Sequence, residues 1–107
     1  AWPNRAMSEE LVARLALLAA QGQTVSYGAL ARELGWRVSH LTDALEALME
    51  EDARNGAPFR AALMEGRLSG GLPARGFFEK AAALGCDTSD PEGFVRRERA
   101  RLFGNIV

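Results

Sequence analysis

The stretch Thr24-Val25-Ser26-Tyr27-Gly28-Ala29-Leu30-Ala31-Arg32-Glu33-Leu34-Gly35-Trp36-Arg37-Val38-Ser39 decides the fold. Ser26 is a good helix N-cap, because its hydroxyl can accept from a free amide of the first turn. Tyr27, Leu30, Ala31 and Leu34 then fall at helical spacing on one face. Gly35 ends that helix and opens the short turn Gly35-Trp36-Arg37. From Ser39 a second apolar stripe runs through Leu41, Leu45, Leu48 and Met49 to Asp52 or Arg54, where Asn55-Gly56 breaks the pattern. Two such helices joined by a short glycine-containing turn read as helix-turn-helix.

Upstream, Ser8 caps a helix whose first turn holds Glu9 and Glu10, where the helix dipole favours acids. Its stripe is Leu11, Leu15 and Leu18, and Gly22 ends it. This helix supplies the third wall of a three-helix core over residues 8–54. Downstream, Pro58 to Met64 reads as a short strand, Glu65-Gly66 as a turn and Arg67 to Ser69 as a returning strand. Gly70-Gly71-Leu72-Pro73 closes this hairpin or loop, 58–73, in the place of a wing. A helix over Gly76 to Leu84 follows. A last one opens at Asp90-Pro91, an N-cap followed by proline at the first helical position, so that 76–104 is a C-terminal helical pair. The expectation is one domain over 1–107. Its class is mainly α: a helix-turn-helix or winged-helix-like three-helix core, a short β-hairpin wing and two C-terminal helices.

Composition agrees with that class and excludes others. Of 107 residues, 19 are alanine and 14 leucine, both strong helix formers. Hydrophobic residues at 48% and charged ones at 25% exclude a disordered chain. Basic side chains comprise twelve arginines and Lys80, as in proteins of GC-rich bacterial genomes. The most apolar run, Leu11 to Ala20, is interrupted by Arg14 and is too short to span a bilayer. Ala1 to Arg5 lacks the apolar core of a secretory signal, and a cytoplasmic protein is the simplest expectation. Cys86 is the only cysteine, which excludes an intrachain disulfide, and with one histidine no Cys/His metal set is expected. The sequence holds no nucleophile elbow, no His-Glu-x-x-His and no Walker loop, so neither enzyme nor cofactor is expected. The net charge of −1 hides an asymmetry: residues 1–53 carry −4 and residues 54–107 carry +3. Two faces with different partners are one reading, and ordinary solvated surface is the other.

Two resemblances lie in these motifs. Thr24-Val25-Ser26-Tyr27-Gly28-Ala29-Leu30-Ala31 with Leu34-Gly35 resembles the opening of the helix-turn-helix in DNA alkylguanine alkyltransferases and alkyltransferase-like proteins. In that family the tyrosine helps to rotate a damaged base out of the duplex, an arginine fills the gap, and a Pro-Cys-His-Arg motif carries the acceptor cysteine. Here that stretch reads Asn55-Gly56-Ala57-Pro58-Phe59-Arg60, the arginine's place falls near Leu41, and Cys86 lies well beyond. Alkyl transfer is therefore not expected, and only Tyr27 is carried over, as a DNA-facing residue. The second resemblance spans about residues 25–104. Val25-Ser26-Tyr27-Gly28, Gly71-Leu72-Pro73 with Gly76-Phe77-Phe78, Leu84-Gly85, Asp90-Pro91-Glu92 with Phe94, Glu98, and Arg101 with Phe103 are similar to a group of small uncharacterised bacterial proteins with a winged-helix-like front half. It implies a fold and no activity.

The candidate sites follow from the fold. Tyr27 either faces DNA or packs in the core with its hydroxyl at the surface. Arg37, Ser39, His40 and Thr42 surround the start of the recognition helix, the end that reaches bases and phosphates in helix-turn-helix proteins. The remainder of that helix carries Asp43, Glu46, Glu50, Glu51 and Asp52, which opposes phosphate neutralisation. Arg60, Arg67 and Arg75 flank the hairpin as phosphate or minor-groove contacts. The alternative site is a protein interface. It comprises Trp36 as an anchor, Glu46 and Glu50 on the acidic helix, and Arg96, Arg97 and Arg101 on a last helix able to dock on acids of this chain or a second copy. Trp2, Phe77, Phe78, Phe94 and Phe103 read as core or interface aromatics. The expectation is a non-catalytic binding module for double-stranded DNA; the alternative is a protein-interaction or self-assembly module. Neither involves a membrane.

Overall fold

The structure, a computed structural model, describes residues 5–104; Trp2 lies outside the described residues. The element order is α1 (Arg5–Gln21), β1 (Val25–Ser26), α2 (Tyr27–Leu34), α3 (Val38–Arg54), a 3-10 turn (Arg60–Leu63), β2 (Met64–Glu65), α4 (Arg75–Ala83) and α5 (Pro91–Leu102). The fold is mainly helical, with a helix-turn-helix core, one short two-stranded sheet and two C-terminal helices.

The helix-turn-helix forms where the stripes place it. Ser26 Oγ accepts from the Ala29 amide at 3.1 Å and caps α2. Gly35 takes the left-handed conformation, φ 72°, that lets the chain turn off the helix end, and its amide and that of Trp36 return to the last carbonyls of α2. Leu30, Ala31 and Leu34 of α2 and Leu41, Leu45, Leu48 and Met49 of α3 are buried. They pack in one core with Leu11 and Leu15 of α1.

Two helix starts differ from expectation. Helix α1 begins at Arg5, upstream of Ser8. Helix α3 begins at Val38, with Arg37 in the N-cap position and no side-chain cap, so Ser39 is a first-turn residue and does not cap.

The larger correction is the wing. Residues 58–69 do not form a hairpin. Val25–Ser26 and Met64–Glu65 pair in parallel, Val25 opposite Met64 and Ser26 opposite Glu65. Arg67 to Ser69 is turn. The physical reason lies in the burial of the preceding segment. Phe59, Ala61, Ala62, Leu63 and Met64 are all in the core, so four consecutive residues are closed off on every side. An edge hairpin would alternate between core and water. A 3-10 turn instead runs through the middle of the molecule, packed on α1, α3 and α5.

A buried backbone segment needs partners for its polar groups. Here they are charged side chains. Glu98 Oε1 of α5 accepts from the Phe59 amide at 2.8 Å, and Asp52 Oδ2 of α3 accepts from the Arg60 amide at 3.0 Å. Arg99 of α5 donates to the carbonyls of Ala62, Met64 and Gly71 at 2.7, 3.1 and 2.9 Å. The turn is held between α3 and α5, and it delivers the chain to β2 and to the 66–74 loop beside the helix-turn-helix.

Candidate functional site

A groove of about 700 Å³ opens between α3, the start of α2 and the start of α4. Its floor is apolar: Leu45 and Met49 of α3, Ala61 of the 3-10 turn and Phe77 of α4. Tyr27, Val38, Thr42, Glu46, Glu65 and Arg67 stand around it. Three helices begin here, since Tyr27 and Gly28 open α2, Val38 opens α3, and Ala74 and Gly76 lie at the entry to α4.

Tyr27 ties the groove together. It lines the groove and packs against the core, and its hydroxyl oxygen accepts from the Ala74 amide at 3.1 Å, a bond that spans 47 residues of sequence. Burial pushes the phenol's pKa up; the Ala74 bond acts the other way and is the smaller effect. The 66–74 loop closes tightly against the same backbone. A Cβ on Gly66 would lie 2.6 Å from Ser69 Oγ and 2.9 Å from the Ala74 N and Cα, so the close approach requires glycine.

The other expected residues separate into groups. Arg37 is exposed in the N-cap position of α3, next to Val38 of the groove, and has no ion pair among the described residues. Arg67 is exposed at the groove edge and equally unpaired there. Glu65, the nearest acid in sequence, accepts from Thr24 Oγ1. Thr42 faces the groove with its hydroxyl donating to the Val38 carbonyl at 3.0 Å. Ser39 is exposed on the first turn of α3, and His40 stacks edge-on against Trp36 at 4.6 Å. Trp36 is half-buried and packs against the core.

Arg60 is drawn into the fold. Its guanidinium pairs with Asp52 at 2.8 Å and Glu51 at 3.0 Å. Burial alone would lower its pKa, but the two carboxylates raise it overall. Arg75 is exposed and pairs with Glu79 at 3.1 Å.

The acidic stretch of α3 is answered within the chain, though not by the last helix. Glu51 and Asp52 meet Arg60, and Glu50 meets Lys80 of α4. Intrachain docking of the arginine-rich helix on these acids is therefore not what forms. Arg101 lies 3.7 Å from Glu98 of its own helix and donates to the Gly56 carbonyl. Arg96 and Arg97 are exposed; Arg96 borders a second cleft with Glu92 and Arg99.

The groove thus gathers Tyr27, Thr42, Arg67 and Glu46, and does not gather Arg60 or the α5 arginines. Sequence reasoning misses Leu45, Met49 and Phe77 as its floor, because a stripe facing a groove and a stripe facing a core look alike. It also misses Leu68, which is 99% exposed at the loop tip. An isolated leucine between Arg67 and Ser69-Gly70-Gly71 is the available signal. No group of three metal-ligating side chains occurs among the described residues, and no helix there is long and apolar enough to cross a membrane.

A scan of protein-family models and searches of the curated proteins and of the solved structures find nothing that matches this chain.

Proposed function

We propose that the chain is a non-catalytic binding module whose partner is double-stranded DNA, met by the face around the groove. The observation that carries this reading is the convergence of Tyr27, Thr42 and Arg67, from three separate segments, on one concave surface. Arg37 beside it and Arg67 on its edge are free of acidic partners among the described residues. The positive ends of α2, α3 and α4 lie at the same place, and helix N-termini favour phosphate oxygens. Asp43 and Glu46, which have no ion pair among the described residues, keep the length of α3 away from the phosphates, so the helix meets DNA with its first turn only.

Fluorescence anisotropy of a labelled duplex, at low and at physiological salt, tests this. The expected result is binding that weakens steeply with salt. Replacing both Arg37 and Arg67 with alanine reduces the log–log salt slope by about two, one for each phosphate no longer neutralised.

A second reading has its own support. The floor of the groove is apolar and its edge includes Glu46, which suits an apolar segment of a protein partner. Absence of DNA binding at low salt, with self-association in light scattering, decides for that reading.

A further inference from the structure

Leu68 is 99% exposed and has φ 59°, the left-handed backbone region that a branched side chain rarely adopts. A singly exposed leucine is commonplace. This one combines full exposure with an unfavourable backbone, on a loop whose flanking Gly70 and Gly71 take positive φ without that steric penalty.

The loop is also pinned. The Gly66 amide donates to the Leu72 carbonyl at 2.7 Å, the Leu72 amide to the Ser69 carbonyl at 3.1 Å, and the Ser69 amide to the Gly66 carbonyl at 3.3 Å. Arg99 of α5 holds the Gly71 carbonyl, and Gly66 is wedged against the Ala74 backbone. The leucine is held outward by a fastened turn, and Arg67, with no ion pair among the described residues, precedes it on the groove edge.

We propose that Leu68 is an apolar wedge that enters a base step of duplex DNA, with Arg67 on the groove edge holding the adjacent phosphate. Apolar side chains inserted between base pairs unstack and kink the duplex, and cationic neighbours anchor the backbone around the step. The charge next to the wedge that fits this occupant is Arg67, which has no ion pair among the described residues; the nearby Glu65 makes its hydrogen bond to the Thr24 hydroxyl and not to Arg67. The inference rests on the DNA reading of the groove face.

The test compares a perfect duplex with one carrying a single central mismatch, where part of the unstacking cost is already met. Wild type is expected to bind the mismatched duplex more tightly. Leu68→Asn suits the test because asparagine tolerates the left-handed conformation, so the fold should melt at or above the wild-type temperature. This variant is expected to lose the mismatch preference and about tenfold in affinity while keeping the wild-type salt slope. Arg67→Ala is expected to keep the preference and reduce the slope by about one. Wild-type binding without mismatch preference, or a preference that survives in Leu68→Asn, overturns the wedge and leaves the DNA reading standing. No binding to either duplex at low salt overturns both.

Discussion

Asp52 is 3% exposed and is the one buried charged side chain among the described residues. Its carboxylate accepts from the Arg60 amide and guanidinium, so one side chain both pins the start of the 3-10 turn and neutralises the arginine entering the core. Removing one partner of such a pair leaves the other without compensation. Asp52→Ala is expected to destabilise the fold by about 3 kcal/mol, less than for a fully enclosed pair because Arg60 retains some contact with water. Urea unfolding followed by circular dichroism reads this directly. A change below about 0.5 kcal/mol, the range of ordinary surface substitutions, contradicts the structural role. The role is not legible in the sequence. Asp52 sits among Glu50 and Glu51, and nothing in that run marks which acid turns inward.

At the scale of elements, α5 acts as a clamp on the buried turn. Its Arg99 answers three carbonyls from Ala62, Met64 and Gly71, which joins the 3-10 turn, β2 and the 66–74 loop to one side chain. Burial lowers the Arg99 pKa, an effect that Glu65 partly offsets. Arg99→Ala strands those acceptors and is expected to cost about 3 kcal/mol. It should also raise amide hydrogen exchange in 64–72 more than in α2 and α3, whose hydrogen bonds lie within the helices. Equal acceleration everywhere would mean that the clamp does not act locally. The helix-turn-helix is legible because both stripes keep helical spacing and because Ser26 and Gly35 mark their ends. The 58–69 segment reads wrongly as a hairpin because a short apolar run does not distinguish an edge strand from a turn buried on all sides. The side chains that decide the matter, Glu98 and Arg99, lie 35 to 39 residues from their partners in it. The groove is half legible. Tyr27, Thr42 and Arg67 stand out in the sequence, but that they share one surface depends on the parallel β1–β2 pairing.

For the whole molecule, the charge asymmetry between the two halves is partly consumed inside the fold, through Asp52 and Glu51 with Arg60 and Glu50 with Lys80. What remains to titrate sets the pH range of stability. Burial raises the pKa of the Tyr27 phenol above its ordinary 10.0. The Cys86 thiol also lies above its ordinary 9.0, chiefly through burial and further through Glu98. As pH rises past these ordinary values the unfolded chain releases its protons first, so the native state binds more protons and loses relative stability. The stabilisation from both groups is complete below about pH 9 and is lost as pH climbs through the folded values. On the acid side Glu50 is lowered by the Lys80 hydrogen bond and charge, and Asp87 by the Ser89 backbone and side chain. Their stabilisation is present above the ordinary carboxylate range and fades as pH falls through the folded values, weakly because both are exposed. The expected profile is a plateau through neutral pH with a decline that begins near pH 9. Urea midpoints measured from pH 7 to pH 11 test it. Tyr27→Phe with Cys86→Ala should start lower at pH 7, since the Ala74 bond is gone, and then decline less steeply than wild type. An alkaline slope identical to wild type would place the titrating groups elsewhere in the chain and would remove the argument that Tyr27 is desolvated against α4.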